Sequence, residues 1–524
     1  MTTCYRIGID VGGTNTDAVL MNYNEVVATT KQPTTENVMT GIEKALSIIL
    51  ETSGVASADI LGVMIGTTHF TNAVVERKHL TKTAVIRLCL PATLSVPPFI
   101  GWPDDIRSLI DAGSYMVKGG YEFDGRKINP LDEVHIKEIA LELKSQGVTS
   151  AIVNSVFSPV NDDSEKRVAE IFAELYPECR VVLSNQVGRI GLLERENAAI
   201  LNASLLALSE KTVNAFADAL AVCGLHCPFF ITQNDGTLMN AEFVKRFPVL
   251  TFASGPTNSM RGAVFLSGEQ DAIVVDIGGT TTDVGLVQQG FPRQASSSVD
   301  IGGVRTNFRM PDMVSVGLGG GSCVNFNPGI IDNNVEVGPH SVGYRITEEA
   351  LVFGGTQTTA TDIAVASGRV QVGDISKVTG IDESLVASSI EKMDRMMLNV
   401  VEKNRLSSAQ IPVIIVGGGS IIAPDEIGGL TVVKPNHFSV ANAVGAAIAQ
   451  VSGEADKIYS LTNLTRKEAI DDAVRVAIEK AVAAGASAQS IQVIDQEDVP
   501  LAYLPGNATR IRVKVVGDLE FNHD

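Results

Sequence analysis

Residues 273–286 read IVVDIGGTTTDVGL, and the fold follows from this stretch. An apolar run ends in Asp276, Gly278 and Gly279 make a turn, three threonines follow, and Asp283 opens a second apolar run. Run against run, that is a strand, a tight hairpin and a second strand. Glycines at the tip adopt backbone angles that other residues avoid, and they let N–H groups come close to a ligand. Hydroxyls and N–H groups at such a tip cradle an anion, and Asp276, at the strand end, faces it. The pattern occurs twice: residues 7–20 read IGIDVGGTNTDAVL, with Asp10 and Asp17 in the equivalent places. One glycine hairpin says little. Two long matches, each inside an apolar strand pair, predict two pseudo-equivalent α/β lobes.

The 524 residues leave room for about two to four domains, large enough to bury about 70–75% of the unfolded surface without staples. A composition 45% hydrophobic and 19% charged suits an α/β enzyme and argues against disorder. The net charge of −19 argues against a nucleic-acid surface, which needs clustered Lys and Arg. It also means that a nucleotide is attracted only locally, by backbone N–H groups and a divalent cation on Asp10, Asp276 or both. Six scattered cysteines form no framework. Cys223 and Cys227 flank His226 but lack two further ligands at zinc spacing, and they read as ordinary thiols. The first residues run straight into a strand without a signal-peptide layout, and no apolar run is long enough to cross a membrane, so the expected compartment is cytoplasmic.

Three strands, a helix over 38–52 and a further strand over 60–65 are how a ribonuclease-H-like half begins. Residues 90–121, rich in Pro and Gly, read as irregular. Alternating helices and strands over 131–184 predict a parallel element. Residues 192–221 form a long helical pattern with a break near Ser209. Ser254-Gly255-Pro256-Thr257 opens a helix that delivers the chain to the second hairpin. GLGGGS at 317–322 is another glycine loop. A buried strand runs into Gly417, Gly418 and Gly419, and a small-residue helix follows. The expected division is 1–200 (with an insertion at about 90–185), 201–451, and a small C-terminal α+β appendage at 452–524.

This order of elements resembles the actin, sugar-kinase and heat-shock-chaperone ATPase superfamily. The resemblance implies two ribonuclease-H-like lobes around a nucleotide cleft, with two helices crossing at the hinge. It implies that Gly12, Gly13, Thr14 and Asn15, with Gly278, Gly279, Thr280 and Thr281, line the phosphates of ATP. Asp10 and Asp276 would hold Mg²⁺ directly or through water, and Gly417, Gly418 and Gly419 would meet the nucleoside. A narrower resemblance rests on IGTTHFTNAVVERK (65–78), ERENAAILNAS (194–204), SGPTNSMRGA (254–263), DIGGTTTDVG (276–285) and GLGGGS (317–322). These are similar to the hydantoinase/oxoprolinase family of ATP-dependent hydantoin hydrolases, 5-oxoprolinase and the acetone carboxylase β subunit. Ile65 stands where that family tends to carry a histidine.

The resemblance implies ATP-dependent opening of a cyclic amide (a hydantoin, 5-oxoproline or a related lactam), commonly with a second, hydantoinase B-like subunit. A homo-oligomer is also compatible. Phosphoryl transfer needs charge neutralisation and in-line positioning more than covalent help. Asp17 and Asp283 either orient water or a metal shell or cap their hairpins. Substrate candidates near the γ-phosphate are Thr67, Thr68, His69, Glu194, Arg195 and Ser322, with Gly320 and Gly321 as a third anion nest. Two alternatives stand beside this reading: a small-molecule or sugar-type kinase, and a non-enzymatic ATPase switch that moves a partner.

Overall fold

The computed structural model describes residues 4–13, 15–33, 38–295, 298–326, 335–405, 411–462, 464–502 and 507–521; Thr14 lies outside them. The fold is mixed α/β. Tyr5–Val11 and Asn15–Asn22 form the first hairpin, with Asp10 opposite Asp17, and Glu25–Pro33 continues it. On the other side Ile60–Thr67 runs parallel to Tyr5–Val11 and sets Gly66 beside Asp10. Ile7, Ile9 and Leu20 pack under the helix Val38–Ser53 through Ile42, Leu46 and Ile49. Val19 and Met21, pointing the opposite way, pack on Ala443, Val444 and Ala447. Burial of both faces is why these strands read as nearly continuous apolar runs.

The second hairpin repeats the plan. Ala272–Ile277 pairs antiparallel with Thr282–Gln288, Asp276 opposite Asp283, and parallel with Val413–Val416. Ile273, Val275 and Ile277 meet Met393, Met397 and Val400 of the helix Glu383–Asn404, while Val274 meets Met260 and Ala263 from the other side.

The two hairpin sheets are tied by a pair of crossing helices, Ser254–Ser267 and Ala441–Ala447. They touch backbone to backbone. A Cβ built at Gly262 would lie 1.9 Å from Ala441 O, and one at Gly445 would lie 1.8 Å from Asn258 O. Only glycine permits this approach.

The inserted segment holds a four-stranded parallel sheet in the order Asp111–Lys118, Thr83–Leu90, Ser150–Ser155, Arg180–Leu183. The parallel element expected over 131–184 therefore has two more strands. One of them, with the helix Asp104–Ile110, comes from the stretch read as irregular. That strand is an edge strand with Gly113 at φ 122°, so its alternation is weak. The long helix runs unbroken from Leu192 to Val222. Ser209 donates to Val244 O of a neighbouring segment and leaves its own helix intact.

Two groups of strands join the first sheet from further along the chain. Phe229–Thr232 and Thr237–Asn240, beyond the boundary read at residue 200, extend it next to Ile60–Thr67. Gln450–Ser460, Ala508–Gly517 and Gln492–Pro500 complete its nine strands. The helix Arg466–Ala483 lies close on these last strands through Ala469, Ala473, Ala477 and Ala481, a stripe at four-residue spacing. Among the described residues no helix is long and apolar enough to cross a membrane.

The insertion is anchored to the long helix by a fully buried ion pair, Arg87 with Glu196, at 2.5 and 2.6 Å. Removing one partner strands a charge away from water. Arg87→Met is therefore expected to cost about 3–5 kcal/mol in urea unfolding. A loss below about 1 kcal/mol would mean that Glu196 finds other compensation.

Candidate functional site

Asp10 and Asp276 end equivalent strands in two different sheets, and one helix reaches both. On the helix Ser254–Ser267, Asn258 Nδ2 donates to Asp10 Oδ1 at 3.3 Å, and the next residue, Ser259, hydrogen-bonds to Asp276. From the other crossing helix, Asn442 Nδ2 donates to Asp10 Oδ2 at 3.0 Å and to Asp17 Oδ2 at 2.8 Å. Each aspartate sits against a glycine of the parallel neighbour strand or its end. A Cβ at Gly66 would lie 2.3 Å from Asp10 Oδ1, and one at Gly417 would lie 2.3 Å from Asp276 Oδ1. Neither glycine can be replaced without displacing a carboxylate.

Burial, then the nearby charge of Asp17, pushes the Asp10 carboxyl up to about 6; Asp276 adds to the rise. Burial, with the Asp283 charge assisting and the Ser259 hydrogen bond opposing, brings Asp276 up to about 6 as well. Asp283 is raised by burial, against a hydrogen bond from Ser315. The charge of Asp276 is felt at Asp10, and that of Asp17 at both, so carboxylates of the two hairpins act on one another across the gap, as a shared cation site requires.

Lys31 is the cation of this gap, and sequence reasoning missed it. It stands opposite Asp17 on the third strand. Its Nζ donates to both Asp17 oxygens at 2.8 and 2.9 Å and to Ser439 O at 3.2 Å. Its Cε lies 3.9 Å from a Cβ built on Gly418, across the gap, and its charge counts at Asp276. The signal for it is register: once the hairpin is drawn, residue 31 faces residue 17.

The tips of the two hairpins are open. A Cβ at Gly13 or Gly279 meets nothing within 4 Å, and Thr280 and Thr281 are exposed. Gly12 N closes the first turn on Asn15 O at 3.0 Å, and Gly278 N closes the second on Thr281 O at 2.9 Å. The glycine triplet packs under the second tip, with Gly419 N donating to Ile277 O at 2.7 Å. The loop at 317–322 corrects an expectation. Gly320 N and Gly321 N donate to Gly278 O and Gly279 O at 3.0 and 2.8 Å, so they brace the hairpin and are spent as an anion nest. Ser322 Oγ, fully buried, accepts from Gly319 N at 2.8 Å and locks that loop.

Thr67 and Thr68 do stand by the first tip. Thr68 N donates to Val11 O at 3.4 Å, and a Cβ on Gly255 would lie 3.5 Å from Thr68 Cγ2 and 3.9 Å from both Asp10 oxygens. His69 opens the helix His69–Val75; burial, then His79 and Lys211, lower its pKa. Arg195 is a buried clamp on the insertion, donating to Ser184 Oγ, Asn154 Oδ1 and the Ser155, Arg189 and Gly191 carbonyls. Glu194 pairs with Arg305 at 3.3 Å. These two were expected near the γ-phosphate; the side-chain partners of Arg195 lie between residues 154 and 191, and Glu194 pairs with Arg305.

Among the described residues no group of three His, Cys, Asp or Glu side chains converges as a metal cage. Magnesium rarely uses such a cage; one or two carboxylates plus nucleotide phosphates are its usual set. Asp10 and Asp276 fit that pattern, and Asn258 Oδ1 beside them is a buried oxygen without a donor.

Comparison with known proteins bears on this geometry. The sequence model for the hydantoinase/oxoprolinase N-terminal region matches residues 6–176, and the one for hydantoinase/oxoprolinase matches 195–385. The chain belongs to the hydantoinase/oxoprolinase family. One relative is the acetophenone carboxylase gamma subunit of Aromatoleum aromaticum, 31% identical over 48% of this chain and 35% of that protein. Another is caprolactamase subunit alpha of Pseudomonas jessenii, 24% identical over 89% of this chain and 68% of that one. The chain thus spans from about a third to about two-thirds of these hydantoinase/oxoprolinase relatives. The solved structure of ATP-dependent caprolactamase from Pseudomonas jessenii superposes with a TM-score of 0.79 over 98% of this chain and 88% of that chain, at 18% identity, a likeness of fold.

Proposed function

We propose that this chain activates a cyclic amide by phosphoryl transfer from Mg·ATP, as the ATPase component of a hydrolase with a second subunit. The observation that carries the reading is the reach of Asn258 and Ser259, adjacent on one helix, to the acidic strand ends of two different sheets. In this reading the two sheets are the lobes of an actin-like ATPase, the first built from the start of the chain and the strands after Gln450, the second from about residue 272 to 449.

A cyclic amide resists water because its nitrogen leaves poorly. Its carbonyl oxygen attacks the γ-phosphorus, the bond to the departing diphosphate breaks, and the resulting imidate phosphate has a far more electrophilic carbon. Water then adds to that carbon, the C–N bond breaks as the departing nitrogen takes a proton, and a second water hydrolyses the acyl phosphate left behind to carboxylate and free phosphate. Magnesium supplies charge neutralisation on the phosphates when bound. The hairpin tips contribute N–H donors from Gly13 and Gly279 and hydroxyls from Thr280 and Thr281. Asp10 and Asp276 would hold the cation, directly or through water. Lys31 keeps Asp17 in place and offsets the negative charge of the gap. Thr67 and Thr68, beside Asp10, orient the acceptor. The crossing helices act as the hinge on which the sheets close and exclude water.

Support for the amide comes from the caprolactamase relative, and support for a partner comes from both relatives being named as subunits. A ketone is the second reading, favoured by the higher identity to the acetophenone carboxylase subunit. Phosphate release from Mg·ATP, assayed over lactams, hydantoins, ketones and sugars with and without a co-expressed neighbour protein, separates these. Release driven by a cyclic amide supports the proposal. A stable phosphorylated sugar, or release that responds only to a protein, overturns it.

A further inference from the structure

Far from the hairpin tips, the second sheet meets the C-terminal strands of the first. Between Leu286–Gln289 and the strands Gln492–Pro500 and Ala508–Gly517 lies a cavity of about 830 Å³, and a second of about 870 Å³ shares Arg189 and Asp235 with it. In a chain of net charge −19, the side chains here are unusually rich in arginine. Most are balanced: Arg293 pairs with Asp312, Arg510 with Asp456, Lys514 with Asp235, and Arg512 with Glu454, Asp495 and Glu497.

Arg189 and Arg261 differ. No ion pair of the described residues includes either. Arg189 Nη2 donates to Gln294 Oε1 at 3.4 Å; burial first, then Arg512, brings its guanidinium down to about 10, against the opposing charges of Asp456 and Glu497. Arg261 comes from the crossing helix that carries Asn258 and Ser259. It stacks 3.8 Å above the ring of Phe291, a wall of the first cavity, and burial brings it to about 10. Arg189 Nε, Arg261 Nη1, Arg293 Nε and Arg309 Nη1 are all buried without an acceptor. Buried donors in this number call for an acceptor that the chain itself does not supply. Guanidinium forks match the oxygens of a carboxylate or phosphate.

We propose that the two adjoining cavities are a second ligand site that takes a small polyanion, a compound with two or more carboxylate or phosphate groups, on Arg189 and Arg293, both of which line the first cavity and carry a buried Nε without an acceptor. The proposal stands apart from the nucleotide reading. Local arginines offset the repulsion that the whole protein exerts on such a ligand. Its walls come from both sheets, so the ligand also bears on how the sheets sit together.

The test is calorimetric titration of the whole chain with citrate, pyrophosphate and inorganic phosphate at constant ionic strength. Saturable binding of at least one is expected, weakened about 10-fold or more in Arg189→Gln and in Arg293→Gln. Arg189→Lys, which keeps the charge but loses the fork, is expected to fold and to fall between. Preference for citrate assigns carboxylate chemistry to the site; preference for the phosphates assigns phosphate chemistry. No saturable binding of any probe overturns the proposal. So does binding that both arginine variants retain, because the anion then sits elsewhere.

Discussion

Replacing Asp276 with Asn is expected to abolish the proposed Mg·ATP-dependent turnover and, at neutral pH, to make the nucleotide-free protein more stable. The activity loss follows from removing one of the two carboxylates that would grip the cation. The stability gain follows from the direction of the pKa shift. Burial raises Asp276 to about 6, above the 3.8 of an unperturbed carboxyl, so the folded state holds the proton more tightly than the unfolded chain. For such a group, stability is greatest where it is protonated in the fold and falls as the pH rises from about 4 through about 6. At pH 7 the full penalty is present, at most about 3 kcal/mol. Asn carries no charge there and can still accept from Ser259. Thermal unfolding of wild type and Asp276→Asn at pH 7 and at about pH 4.5 checks this: the variant melts higher at pH 7, and the gap narrows in acid. A variant that turns over normally, or melts lower at pH 7, contradicts the assignment.

Gly445→Val is expected to be the most damaging single change outside the acidic residues. A Cβ at residue 445 falls 1.8 Å from Asn258 O, a backbone atom that no rotamer change can move. The helices would have to separate, and separation pulls Asn258 off Asp10 and Asn442 off Asp10 and Asp17. The expected loss is about 3 kcal/mol or more in urea unfolding, or failure to fold. Gly445→Ala is expected to be milder but still destabilising, with nucleotide affinity lowered through the same asparagines. Stability within about 0.5 kcal/mol of wild type for the valine variant would show that the crossing is looser than drawn.

Both hairpins were legible in the sequence because their determinants are local. The turn, the strand-end acid and the apolar runs all lie within fourteen residues of chain, and the antiparallel register Asp10–Asp17 and Asp276–Asp283 follows from the turn alone. The parallel insertion was legible for a similar reason: helix and strand periods alternate over 131–184. What stayed hidden depends on partners distant in sequence. Gly66 and Gly417 matter only because a parallel strand brings them under a carboxylate. Lys31 looks like an ordinary charge until it is set opposite Asp17. Glu194 and Arg195 stand within a run similar to the family, and yet Arg195 is spent on Ser184 and Asn154 and Glu194 on Arg305. The strands after Gln450 read as an appendage because nothing in their own pattern says which edge they join.

The central claim is that Asp10 and Asp276 grip one magnesium nucleotide between two sheets. A crystal structure with Mg²⁺ and a non-hydrolysable ATP analogue tests it most directly. Triphosphate oxygens are expected within hydrogen-bonding distance of the Gly13 and Gly279 tips together, with the cation between the two aspartates. A nucleotide bound by one hairpin alone, or away from both, would contradict it.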